Sequence, residues 1–217
     1  MTEPRGWTYD QRLNNGRGAY RDSVTGRVIS QQQATFLIDQ AIDRTQTEIT
    51  TQINYLLDNG QISVADWQKA MSETIKDAYI QQAELAAGGR ENMTQAMWGS
   101  LSTPLQEQYK YLSNFAKEIA DGKLSIGQIQ MRSKMYINSS REVYWRVKDR
   151  QMKAQGLKQE KWDAIGDDST CGPCAEADAM GWQPLGTFAQ PGSGNVLRSP
   201  LTHCQGLTSC RCQKRYQ

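Results

Sequence analysis

Apolar residues recur along most of this chain with the 3.6-residue period of amphipathic helices. The first stripe runs through Ile38, Ala41, Ile42, Ile49, Ile53, Leu56 and Leu57. Ser30 stands ahead of it as a candidate cap, and Asp58-Asn59-Gly60 follows it with residues suited to a left-handed helix end. A second stripe comprises Trp67, Met71, Ile75, Ala78 and Tyr79. Ser63 opens that helix with Asp66 three residues on, a weak capping box, and Gly88-Gly89 closes it. A third stretch holds Met93, Met97, Trp98 and Leu101. It restarts at Pro104, suited to a first helical position, and continues through Leu105, Tyr109, Leu112, Phe115 and Ile119 to Asp121-Gly122. A fourth opens at Ser125 and carries Ile129, Tyr136, Val143, Tyr144 and Val147 to Gly156.

The helix junctions echo one another. Asp58-Asn-Gly-Gln-Ile-Ser-Val64 matches Ala120-Asp-Gly-Lys-Leu-Ser-Ile126, and each copy ends one helix with glycine and caps the next with serine. The pattern predicts a mainly α fold. Residues 30–156 form an elongated bundle of about four long helices, arranged as two helical hairpins. Residues 1–29 form an arm, with turn formers between Tyr20 and Val28 predicting a short hairpin. Beyond Gly156 the period disappears. Lys161–Ile165 reads as a strand, and residues 157–217 read as a separate small module of strands and loops.

That module holds all five cysteines and the single histidine of the 217-residue chain. Cys171-Gly-Pro-Cys174 is followed at a distance by His203-Cys204 and Cys210-Arg-Cys212. A segment this short and this poor in apolar residues needs a metal or disulfides to fold. A Cys-x2-Cys turn brings two thiolates to one ion, and the distal cysteines complete a tetrahedron. The candidate ligands are four of Cys171, Cys174, Cys204, Cys210 and Cys212, with His203 as the alternative, and the ion is a structural zinc. Two disulfides with one free thiol are the competing chemistry. No catalytic residue is assigned. A lone histidine in a cysteine cluster makes a weak nucleophilic pair, the strand–helix alternation of a thioredoxin-like site is missing, and no phosphate-binding loop occurs.

Charge is uneven although the net is only +2. Residues 132–161 carry nine bases against three acids, a solvated helix face or a surface toward nucleic acid or an acidic protein. Reversal of Arg146, Lys148 and Arg150 is the corresponding test. No run approaches the ~18 apolar residues of a membrane helix, so no membrane partner is expected. The first residues lack an apolar signal-peptide core, which points to synthesis in a cytoplasm.

Thr170-Cys-Gly-Pro-Cys174, Gly181-Trp182-Gln-Pro184-Leu-Gly186, Pro191-Gly-Ser-Gly194 and Cys204…Cys210-Arg-Cys212 together resemble the C-terminus of tailed-phage head-morphogenesis proteins, the Mu F-like minor head proteins. Tyr20-Arg-Asp…Thr25-Gly-Arg27 and Met135-Tyr136…Ser139-Ser-Arg141…Tyr144 are similar to segments that precede such tails. The distal Cys204-x5-Cys210 spacing is longer than the family pattern, which keeps the ligand set open. The resemblance implies a structural, non-enzymatic virion protein, assembled in the host bacterial cytoplasm and present in several copies. It would associate with portal or capsid proteins and act in head morphogenesis, DNA packaging or ejection. Trp182, Pro184 and Gly186 would shape the loop between the ligand pairs, and Arg132–Lys161 would face packaged DNA or the portal. A nucleic-acid-binding protein with a C-terminal zinc module is the alternative, and an enzyme built on an open metal position is a third reading.

Overall fold

The computed structural model describes residues 7–10, 12–13, 19–30, 34–198 and 201–217, and it is mainly helical. Strands β1 (Trp7–Asp10), β2 (Ala19–Asp22) and β3 (Val28–Ser30) form an antiparallel sheet in that order. The expected hairpin is β2–β3. Asp22 Oδ1 accepts the Val24 and Thr25 amides at 2.9 and 2.7 Å, and Gly26 takes the positive φ the turn requires. Strand β1 carries no sequence signal of its own and is added by pairing. Ser30 belongs to β3 and does not cap the first helix, which starts at Thr35; residues 31–33 lie outside the described residues.

That helix, α1 (Thr35–Glu48), passes through a π turn at Ile49–Ile53 into α2 (Asn54–Asp58). The turn rephases the stripe. Leu37, Ile38, Ala41, Ile42 and Ile49 are buried as a helical period demands, but beyond the turn it is Asn54 that points inward. Its Oδ1 accepts the Trp67 indole N–H at 2.9 Å, while its Nδ2 is buried without a partner among the described residues.

Ser63 caps α3 (Val64–Ala87) with the full capping box to Asp66. Gly88 ends it at φ 82°, and a Cβ there would lie 2.6 Å from the Tyr9 ring. Tyr20 donates its hydroxyl to the Leu85 carbonyl, so the N-terminal sheet closes over the end of α3. This cover explains why all residues from Gln82 to Ala87 are buried, polar ones included. After α4 (Gln95–Gly99), α5 spans Ser102–Ala120. It starts before Pro104, which falls in the first turn but not at its first position.

Ser125 caps the next helix, and Gln128 completes its capping box. The single fourth helix of the sequence reading is two, α6 (Ile126–Asn138) and α7 (Ser140–Ala154). Ser139 Oγ and Ser140 Oγ donate to the Tyr136 and Ile137 carbonyls at 2.7 and 2.6 Å, which loosens the helical ladder at this serine pair. Tyr79 of α3 is hydrogen-bonded to Ser139 at 2.9 Å and holds the break against the core. Helix α3 is the central element, packed against α1, α5, α6 and α7. Trp67, Phe115 and Tyr136 form a line of ring contacts through the middle.

The C-terminal region opens with β4 (Gln159–Asp163), two residues earlier than expected. It is the middle strand of an antiparallel sheet, between β5 (Gln183–Pro184) and β8 (Gln213–Tyr216). Helix α8 (Gly172–Ala179) and the hairpin β6 (Asn195–Arg198) and β7 (Leu201–His203) complete it. Its core is separate and small, built on Trp162, Cys174, Ala177, Phe188, Val196, Cys204, Cys210 and Cys212. Among the described residues no helix is long and apolar enough to cross a membrane.

Candidate metal centre

Cys171 is the N-cap of α8, and Gly172 and Pro173 start the helix, so the Cys-x2-Cys motif occupies its first turn. The Cys174 amide donates to the Cys171 carbonyl at 3.0 Å, which keeps the two sulfurs on one side. Cys204 follows β7, and its amide is tied to the Gly194 carbonyl at 3.1 Å. A single 3₁₀ turn, Leu207–Ser209, then folds the chain back so that Cys210 and Cys212 face Cys174. Leu207 has φ 46°, and no other described non-glycine residue has a positive φ. The longer distal loop is accommodated by this tight and locally strained turn.

The five sulfurs fall into two adjoining triads. Cys171, Cys174 and Cys204 form one triad within 4.8 Å, and Cys174, Cys210 and Cys212 form a second that shares Cys174. Cys204 Sγ lies 3.7 Å from Cys171 Sγ and 3.5 Å from Cys174 Sγ. A tetrahedral zinc with Zn–S bonds of about 2.3 Å has edges of about 3.8 Å, so these separations suit a shared ion. They are far beyond the ~2.05 Å of a disulfide, and all five thiols are unbonded. Cys174, Cys204, Cys210 and Cys212 are buried and Cys171 is partly exposed. His203 is exposed on β7 and joins neither triad.

The thiols perturb one another. Hydrogen bonding with Cys210 and Cys212, then burial, pushes Cys174 far up, while hydrogen bonds from Cys174 and Cys210 bring Cys212 down to about 4. The buried Trp162 indole adds to the lowering of Cys212. Burial raises Cys204 to about 11. A cluster in which thiolates share protons gives those protons up when a cation enters.

The residues between the ligand pairs also take part in seating the module. Gln183-Pro184 pairs with Gln159 and Glu160, and Trp182 is exposed. Gly186, at φ 99°, turns its amide onto Glu160 Oε1 at 3.0 Å, and the Phe188 amide joins it at 2.7 Å. Glu160 is fully buried and pairs at 2.7 Å with Lys214, which is also fully buried. Lys214 reaches on to Asp149 of α7 at 2.8 Å. Asp149 further accepts Tyr216 Oη at 2.6 Å and Gln190 Nε2 at 2.8 Å, and it pairs with Arg198. This polar seam fastens the cysteine module to the helical body. No motif in the sequence announced it; acids at 149 and 160 inside a basic run were the only sign.

No protein-family profile, curated protein or solved structure matches this chain.

Proposed function

We propose that this chain is a structural protein whose C-terminal module is closed by one zinc ion on four cysteine thiolates, and that it serves as a minor head protein of a tailed phage. The triad of Cys171, Cys174 and Cys204, at separations suited to the edges of a thiolate tetrahedron, with Cys210 and Cys212 gathered on the shared Cys174, supports the metal reading. Cys171, Cys174 and Cys204 supply three ligands, and one of Cys210 and Cys212 supplies the fourth. Four thiolates close the coordination sphere, which suits a structural and not a catalytic ion. The phage assignment rests on the resemblance of the tail. Under it, the helical body packs beside portal or capsid subunits, and the docked module fixes its end.

Metal content and free-thiol number, measured on protein purified without chelator, test the first part. One zinc per chain with five thiols titratable after denaturation and chelation is expected. No metal with a single free thiol would replace the ion by two disulfides. Cys174→Ser abolishes stoichiometric zinc, whereas one of Cys210→Ser and Cys212→Ser retains it. For the second part, the protein is expected in purified phage particles, co-fractionating with portal and capsid. Its absence from full and empty particles would remove the head assignment and leave the metal reading standing.

A further inference from the structure

Most of the nine bases between Arg132 and Lys161 are used by the fold itself. Arg132 pairs with Glu118, buried Arg141 reaches Asp39 at 2.6 Å, and Lys161 lies 3.2 Å from Asp178. Lys148 is enclosed against the body. Arg146 engages Glu142 through one nitrogen, while its Nε is shielded from solvent and has no hydrogen-bond partner. Lys134, Arg150, Lys153 and Lys158 are exposed and form no ion pair or side-chain hydrogen bond among the described residues.

Three of these four face one cleft. Arg146, Arg150 and Lys153 stand at i, i+4 and i+7 on α7, one face of the helix. With Lys158 from the following link and Arg198 from β6 they line a cleft of about 740 Å³ at the boundary of body and module. Its only carboxylate is Asp149, already held by Lys214, Tyr216, Gln190 and Arg198. Low-dielectric walls from Leu157, Pro184 and Leu185 focus that positive potential. Among the described residues no aromatic ring lines the cleft, so bases have nothing to stack on, and a ligand is held through its anionic backbone. Guanidinium forks beside point-charge ammonium groups are the donor set that phosphates accept from.

We infer that this cleft binds the phosphodiester backbone of duplex DNA without sequence preference, and that it is complete only while the cysteine module is docked, because Arg198 and the Pro184–Gly186 wall come from the module. The choice of DNA rests on the head-protein reading; the phosphate chemistry rests on the cleft. The test is anisotropy of a short labelled duplex with zinc-loaded full-length protein across a salt series. Each phosphate contact contributes about 0.9 to the slope of log K against log salt. The combined variant Arg150→Gln, Lys153→Gln, Lys158→Gln is therefore expected to flatten the slope by about 2 to 3 and to weaken binding roughly tenfold or more at low salt. Lys134→Gln, outside the cleft, leaves both unchanged. Inorganic pyrophosphate competes, but weakly beside a second duplex. Salt-independent binding, an unchanged slope in the triple variant, or a preference for polyglutamate over duplex would overturn the inference. Zinc content read on the same samples separates the cases: intact zinc without DNA binding removes this inference alone.

Discussion

At the scale of single residues, the side chains that hold the module in place are buried charges, and their value depends on complete pairing. Lys214 stands between Glu160 and Asp149 with no solvent exposure, so removing it leaves the fully buried Glu160 without a counter-charge, while Asp149 keeps Arg198. Lys214→Met is expected to lower stability by about 3–5 kcal/mol in urea unfolding, the range for breaking one partner of a buried ion pair. Exposed pairs such as Lys123 with Asp121 carry no comparable weight. The same distinction corrects the sequence reading of the basic run. Reversal at Lys148 would bury an acid in the body and report on folding, whereas Arg150, Lys153 and Lys158 report on the surface.

At the scale of elements, the ends of helices were legible where a side chain or a glycine makes the end. Ser63 and Ser125 accept the amides of Asp66 and Gln128, and both capping boxes are complete. Ser63→Ala and Ser125→Ala should each cost about 1 kcal/mol and lower the thermal midpoint by about 2–4 °C. Breaks inside helices were not legible. The π turn at Ile49–Ile53 leaves the apolar stripe looking regular while rotating Asn54 inward, because a period counted over few turns tolerates one extra residue. The break at Ser139 comes from two hydroxyls returning to the backbone, which composition cannot distinguish from exposed serines. In the cysteine region the ligand candidates were readable from spacing, but α8 was not. Its eight residues are too few for a helical period, and its place is set by the first Cys-x2-Cys turn.

At the scale of the whole molecule, two cores meet at one seam, and their proton balance sets the response to pH. Burial lowers Lys148 to about 7, whereas an unfolded lysine titrates near 10.5. Between those values the unfolded chain holds the extra proton, so raising pH stabilises the folded state. The tyrosines act in the opposite sense above pH 10. Burial keeps Tyr136 protonated to about 12 and Tyr79, Tyr144 and Tyr216 beyond their ordinary range, so further base favours unfolding. The thermal midpoint of metal-loaded protein should rise from pH 7 toward 10 and fall beyond it. Lys148→Met should flatten the rising limb and leave the fall.

The pairing of β8 with β4 places Glu160 opposite Tyr216, across the whole cysteine region. Such a contact is slow to form, because the entropy of closing the loop is lost before any strand pairing offsets it. An ion gathered by Cys171 and Cys174, then by the distal cysteines, would divide that long excursion into shorter ones before β8 arrives. The metal would thus act on the speed of folding as well as on its end point, with cation supply setting how long the unfinished edge of β4 stays open to other chains.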